Sequence, residues 1–295
     1  MGCTRPLSGY RGPGGKVFFT SKDGYVDRPI TVKCGQCLGC RLRRTQDWAV
    51  RCVHEAQMHS DNVAVTLTYD DEHLPEDSSV SVKHWQDFCD RVRYERGPFR
   101  YLHTGEYGET NTLRPHYHGL LFGMSFPDPY RTGTSTRGHP VLQSEDLTRL
   151  WGNGIATIAP VNFATASYTA RYTIAKASFD DPEQFQRIDP ETGEWWEVKP
   201  TYSTMSLRPG IGNAWYKRWK KEVYPSDFIT IKGQIYRPPL YYDKLLEGEN
   251  PDLFDSVRLK RRNKIKTDDH THERLRTIEN CTQARVNHHS QGDLL

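Results

Sequence analysis

The spacing of apolar and polar side chains changes period along this chain, and each period predicts an element. Residues 63–69 (Val-Ala-Val-Thr-Leu-Thr-Tyr) are a β-branched run, the mark of a central strand. Upstream, Leu42, Ala49, Cys52, Val53 and Ala56 recur at helical spacing and predict a helix over 42–58. Downstream, Ser81 can cap a helix whose apolar stripe is Val82, Trp85, Phe88, Cys89 and Val92. Residues 99–105 and 116–122 read as two antiparallel strands around a polar turn, and 127–138 as a long polar loop. A short helix near 145–151 leads through Gly152-x-Gly154 into a strand over 155–161, and Asn162 can cap the helix that follows. The order α-β-α-β-β-α-β-α predicts an α+β fold, one mixed antiparallel sheet with flanking helices.

The two flanks are less regular. Residues 1–33 are rich in Gly and Pro, with short β-prone pieces at 17–20 and 30–32. Residues 180–199 read as a charged, irregular insertion. The run 206–211 leads into an aromatic helix with Trp215 and Trp219, and 228–237 reads as a hairpin around Lys232-Gly233. From about residue 250 aromatics almost vanish and charge dominates, which predicts a helical or disordered tail.

Composition narrows the picture. The chain has 295 residues, long enough for one large domain or two small ones. Its hydrophobic fraction of 36% and mean hydropathy of −0.77 are low for a compact globule, so part of the length is loop or tail. A net charge of +3 provides no global cationic field for nucleic acid. Basic residues nevertheless cluster at Arg41, Arg43, Arg44 and Arg51, and again at Arg258, Lys260, Arg261, Arg262, Lys264 and Lys266. As a set these can track phosphates, with aromatics near 215–219 stacking on unpaired bases; singly, each also fits an ordinary solvated helix face. No window is long and apolar enough to span a membrane, and the polar N-terminus has no secretory h-region, so a cytoplasmic protein is expected. The chain has no Gly-x4-Gly-Lys-[Ser/Thr] sequence, which argues against an NTPase motor.

Two short segments carry the candidate chemistry. Arg-Pro-His-Tyr-His-Gly-Leu-Leu-Phe-Gly at 114–123 puts His116 and His118 two residues apart in an apolar run, on one face of a strand with Tyr117 on the other. A hairpin centred near residue 111 gives Glu106 the parity to join them. Two imidazoles and a carboxylate suit a divalent cation such as Mg²⁺ or Mn²⁺ with open positions for phosphate oxygens; two strand histidines satisfied by hydrogen bonds remain the alternative. The second segment, Ser-Tyr-Thr-Ala-Arg-Tyr-Thr-Ile-Ala-Lys at 167–176, places Tyr168, Tyr172 and Lys176 in one helical stripe. Such a stripe can be packing, or it can be two phenol nucleophiles with a cation beside them to steady developing charge.

Seven cysteines include Cys34, Cys37 and Cys40 at Cys-x2-Cys-x2-Cys spacing, with Cys3 the nearest fourth. The spacing suits thiolates on structural Zn²⁺ better than disulfides, against the alternative of reduced free thiols. Cys52, Cys89 and Cys281 read as packing or incidental residues.

Taken together, His116-Tyr117-His118, the upstream Glu106 and the downstream Tyr168-x3-Tyr172 resemble the His-hydrophobe-His endonucleases, the rolling-circle replication initiators. The flanking sequence is more specific. Cys-Gly-Gln-Cys-Leu-Gly-Cys-Arg at 34–41, Trp-Ala-Val-Arg-Cys at 48–52, Thr-Leu-Thr-Tyr at 66–69, Gly-Glu-Tyr-Gly at 105–108 and Pro-Gly-Ile-Gly at 209–212 resemble the replication initiation proteins of gokushovirus-type microviruses. The likeness runs from about residue 3 to 245. Tyr117 stands where these enzymes usually carry an aliphatic, and their metal carboxylate varies in position.

The resemblance implies an endonuclease and strand transferase that cuts single-stranded phage DNA at its origin. One of Tyr168 and Tyr172 would form a 5′-phosphotyrosine and free a 3′-OH, and the other would later close the circle. Lys176 matches the lysine that follows the second tyrosine, and 66–69 matches a structural strand motif. It also implies a nuclease domain over about 1–245, including a Cys-rich part at 1–41, and a charged tail at 246–295. The expected compartment is the host bacterial cytoplasm, with host helicase and DNA polymerase as partners and no membrane. Two other readings stand beside it: a non-catalytic zinc-dependent DNA-binding protein, and a metal-dependent phosphodiesterase that uses water.

Overall fold

The computed structural model describes residues 2–108, 113–134, 140–189 without 176–184, 192–264 and 271–291, and leaves the side chains of 171–175 and 289–291 undescribed. The chain forms two compact units, one of residues 46–254 and one of residues 1–45 with 255–295.

In the smaller unit, β1 (Leu7–Arg11) is the middle strand of a three-stranded antiparallel sheet between β2 (Val17–Phe18) and β3 (Pro29–Val32). The edge pieces match the β-prone segments of the sequence. The middle strand was not expected, because only Gly9 of its five residues is buried and no apolar alternation marks it. Helix α1 (Leu38–Ala56), whose residues from 46 onward belong to the larger unit, begins four residues before its predicted start, since its first turn buries Cys40 rather than a long aliphatic side chain.

The larger unit is built on β4 (Asn62–Tyr69), α2 (Val82–Arg96), β5 (Arg100–Tyr107), β6 (Pro115–Phe122), β7 (Tyr130–Thr134), β8 (Pro140–Gln143), α3 (Glu145–Trp151), β9 (Gly154–Pro160) and α4 (Phe163–Ala175). Ser81 caps α2, its hydroxyl accepting from the His84 amide at 3.3 Å. Asn162 caps α4, accepting from the amides of Ala164 and Thr165 at 2.8 and 3.0 Å. Both caps are where the sequence placed them, and each satisfies amides that a helix start leaves without partners.

Further elements follow: β10 (Gln186–Ile188), β11 (Trp195–Glu197), β12 (Tyr202–Met205), α5 (Asn213–Ser226), β13 (Ile229–Ile231), β14 (Gln234–Tyr236), α6 (Leu240–Glu249), α7 (Pro251–Asn263) and α8 (His272–Gln291). The main sheet has seven strands in the order β12-β5-β6-β4-β9-β8-β7, every neighbouring pair antiparallel. This is the α+β architecture expected, and β13 and β14 form the predicted hairpin. The described part of the tail is helical.

Two expectations need correction. Residues 127–138 are not all loop, because β7 pairs with β8 at the sheet edge. Residues 180–199 are not wholly irregular, because β10 pairs with β11. These strands are short and largely exposed, so pairing alone forms them and no hydrophobic period announces them.

The sheet is covered on both faces. Val63, Val65, Leu67, Tyr117 and Leu121 pack with Trp85 and Phe88 of α2 and Leu147, Leu150 and Trp151 of α3. On the opposite face Leu102, Leu120 and Phe122 pack with Ala49 and Cys52 of α1 and Ala166 of α4. Residues 116, 118, 120 and 122 share one face of β6, so His116 and His118 lie on the side that carries α4. The sheet thus delivers the histidines and the tyrosine helix to the same surface.

Candidate active site

The register of the three central strands builds the site. Glu106 is paired with His116 and Thr104 with His118, a ladder symmetric about residue 111 as the sequence predicted. On the other side of β6, Thr66 of β4 is paired with His118. The Glu106 carboxylate therefore reaches both imidazoles: its Oε1 lies 3.2 Å from His116 Nε2 and 3.0 Å from His118 Nε2. Glu106 and His118 are buried, and His116 is partly exposed, its side chain keeping 17% of its surface.

The opposite ring nitrogens are held as well. His116 Nδ1 lies 3.1 Å from the carbonyl of Arg114, which can only accept, so that nitrogen carries the proton. His118 Nδ1 lies 2.9 Å from the Thr66 hydroxyl. These contacts orient both rings so that the Nε2 atoms converge. Burial alone would raise the Glu106 carboxyl, but hydrogen bonds and charge from His116 and His118 outweigh it and hold the group below its ordinary range.

This donor set fits a divalent cation. One ligand atom from each of Glu106, His116 and His118 lies within 4.8 Å of the others. A buried carboxylate between two imidazole nitrogens, oriented by fixed partners on their far sides, is the pattern of a metal site with positions left open. Thr66 is the member that sequence reading missed. A threonine in a β-branched strand looks like any strand former, and only the β4–β6 register shows its hydroxyl behind His118.

Helix α4 brings Tyr168 to the same place. Its half-buried ring meets the His118 imidazole edge to face, with centroids 5.0 Å apart. Tyr172 is one turn further along the same helix, with its side chain outside the described residues, and Lys176 lies wholly outside them.

Other candidates are taken up by packing. The Arg51 guanidinium sits over the Trp48 ring at 3.9 Å and the Tyr241 ring at 4.2 Å, and its Nε donates to the Ile211 carbonyl at 3.0 Å. Arg51 is thus already held by packing within its own chain. Trp215 stacks on His54 with centroids 3.4 Å apart and donates its indole N–H to Gln57 Oε1 at 2.7 Å, so its near face is already covered. In the smaller unit Cys3, Cys34, Cys37 and Cys40 converge, one sulfur from each within 4.8 Å of the others. Cys52 and Cys89 are buried in packing and Cys281 is exposed. Among the described residues no helix is long and apolar enough to cross a membrane.

The family profile for replication-associated protein ORF2/G2P matches residues 62–177, the stretch from β4 through α4 that holds Thr66, Glu106, His116, His118 and Tyr168. Replication-associated protein VP4 of Bdellovibrio phage phiMH2K is 29% identical over 85% of this chain and 79% of its own length. Replication-associated protein ORF2 of Spiroplasma virus 4 is 32% identical over 88% of this chain and 86% of its own length. Replication-associated protein ORF4 of Chlamydia phage 1 is 26% identical over 73% of this chain and 53% of its own length. No solved structure matches the chain. With that likeness running through most of both chains, this protein belongs to the replication-associated protein family of the microviruses.

Proposed function

We propose that the protein initiates rolling-circle replication by cutting and rejoining single-stranded phage DNA at the origin through tyrosine transesterification. The observation that carries this reading is the meeting of Tyr168 with the Glu106, His116 and His118 cluster on one face of the sheet.

The phenolic oxygen of one tyrosine, having lost its proton, attacks the scissile phosphorus in line. The bond from phosphorus to the 3′ oxygen breaks, and that oxygen takes up a proton to become a free 3′-OH. The 5′ phosphate stays on the tyrosine as an ester, so bond energy is kept for rejoining. The second phenol on the stripe then accepts the next 5′ phosphate, and a 3′-OH attacking the first ester closes the circle. Tyr168 and Tyr172 fill these roles, and Lys176 steadies negative charge as it develops. Glu106, His116 and His118 would hold Mg²⁺ or Mn²⁺, whose contribution is Lewis-acid polarisation of a phosphate oxygen. Thr66 and the Arg114 carbonyl keep the two imidazoles turned toward the carboxylate. Strand separation and synthesis fall to the host helicase and DNA polymerase in the bacterial cytoplasm.

Incubation of the full chain with origin DNA and Mn²⁺, followed by a denaturing gel, tests this. A covalent protein–DNA band supports the initiator. Cleavage without a covalent band would instead mean a phosphodiesterase using water, and binding without cleavage a DNA-binding protein.

A further inference from the structure

Among the described residues, a second group able to hold a metal ion besides Glu106, His116 and His118 is the set of four cysteines in the smaller unit. Cys3 Sγ lies 3.6 Å from Cys34 Sγ and 3.8 Å from Cys37 Sγ. A disulfide needs sulfurs about 2.05 Å apart. A tetrahedron with metal–sulfur bonds of about 2.3 Å has edges of about 3.8 Å. The observed spacing is that of ligands round one ion, and not that of a bond.

The backbone is arranged to suit thiolates. The Cys34 amide donates to Cys3 Sγ at 3.3 Å, the Cys37 amide to Cys34 Sγ at 3.2 Å, and the Thr4 amide to Cys37 Sγ at 3.4 Å. Four thiolates on a divalent ion leave two net negative charges, and N–H donors aimed at sulfur spread that charge. Two glycines make the geometry accessible. Gly35 takes φ +79° in the turn between Cys34 and Cys37, and a Cβ on Gly39 would lie 2.2 Å from the Gly2 carbonyl oxygen. Only a bare backbone at 39 lets the N-terminal segment bring Cys3 down onto the start of α1.

The residues after Cys3 reach the C-terminal helix of the same unit. The Thr4 hydroxyl donates to Glu279 Oε1 at 3.1 Å, and Arg5 Nε donates to both Glu279 oxygens at 3.1 and 3.0 Å. Glu279 lies in α8, where Leu275 and Thr282 are buried. A short Gly- and Pro-rich segment has little apolar surface to order it, so something other than a core must fix Thr4 and Arg5.

We propose that Cys3, Cys34, Cys37 and Cys40 bind one structural zinc ion, and that this ion is the clasp through which the N-terminal segment holds α8 in place. The Cys-x2-Cys-x2-Cys spacing anticipates a metal; the convergence of Cys3 and the Thr4 and Arg5 contacts to Glu279 assign it a job. The clasp is independent of the nicking reading.

The test uses the full chain, purified under reducing conditions without chelator. Elemental analysis is expected to find one tightly held zinc per chain, retained in His118→Ala and lost in Cys37→Ser. Because a ligand-cysteine variant can fail to fold, the Cys281→Ser protein, whose α8 then carries no exposed thiol, is also titrated with a mercurial thiol reagent while zinc release is followed with a chromogenic chelator. On release, hydrogen exchange across 272–288 is expected to quicken at least about tenfold. Glu279→Ala should quicken the same amides while keeping its zinc. Absence of bound zinc, iron in its place, a disulfide among the four, zinc kept by Cys37→Ser, or unchanged exchange in α8 after release would each overturn the proposal.

Discussion

The Tyr168 ring meets the His118 imidazole edge to face, their centroids 5.0 Å apart and their planes at 87°. An edge-to-face pair of this kind is favourable in itself and fixes the direction of both rings. It ties a ring on α4 to a ring on β6, two side chains fifty positions apart in the chain. If the two rings belong to one reaction, removal of the metal-binding groups should spoil cutting while sparing DNA binding. His116→Ala and Glu106→Ala are each expected to lower the cleavage rate by about a hundredfold or more. Binding of single-stranded origin DNA, read by fluorescence anisotropy, should change less than about threefold. Equal losses in both measurements would argue against this division of labour.

Thr66 provides a finer probe, because its hydroxyl meets His118 at Nδ1, on the far side of the ring from Glu106. Thr66→Val keeps the β-branched shape and removes the hydroxyl. The expected result is a metal requirement raised about ten- to a hundredfold, with the rate recovering at high metal concentration. Thr66→Ser should behave like the parent protein. A Thr66→Val protein with an unchanged metal titration would show that this hydroxyl does not orient His118.

Tyr117 is the departure from the usual aliphatic between the histidines, and its hydroxyl has partners. It lies 2.6 Å from the Tyr69 hydroxyl, accepts from the Ser81 amide at 2.8 Å and donates to the Ser81 carbonyl at 3.1 Å. Tyr117→Phe should therefore cost about 1–3 kcal/mol in chemical denaturation. Nicking by the folded variant should stay within about twofold, because Tyr117 faces α2 and not the histidine side. A large loss of activity at unchanged stability would contradict that placement.

His54 predicts part of the acid sensitivity. It is buried, stacked on Trp215, and its Nδ1 lies 2.9 Å from the Tyr242 hydroxyl. Burial pushes its imidazole down from 6.5 to about 3. Above pH 6.5 both folded and unfolded chains carry it neutral, and its contribution to stability is complete. Between 6.5 and about 3 only the unfolded chain takes the proton, so stability falls with falling pH. Urea unfolding between pH 7 and 4 should show that decline, and at pH 5 His54→Gln should reduce proton uptake on unfolding by about one. An unaltered pH slope in the variant would contradict a neutral buried His54.

Much of the site was legible because short-range rules govern it. A strand period of two and a short hairpin put Glu106, His116 and His118 on one face, and a helical period puts Tyr168 on α4. The capping roles of Ser81 and Asn162 were legible for the same local reason. What was hidden depends on pairing and packing between distant segments. β1, β7 and β12 are edge-like or half-exposed and carry no hydrophobic alternation. Thr66 has a role only through its partner strand. Arg51 and Trp215 look like nucleic-acid contacts in a linear chain, yet Trp48, Tyr241 and His54 cover them in the fold. The placement of α8 through Glu279 was likewise invisible, since a polar helix announces no partner.

On the proposed mechanism, a phenol from α4 becomes the covalent holder of the cut strand. The most direct measurement traps the complex formed with origin DNA and Mn²⁺, digests both components and maps the residual nucleotide by mass spectrometry. A nucleotide ester is expected on Tyr168 or Tyr172, and none in the Tyr168→Phe, Tyr172→Phe double variant. An ester on any other residue, or cleavage that persists in the double variant, would contradict it.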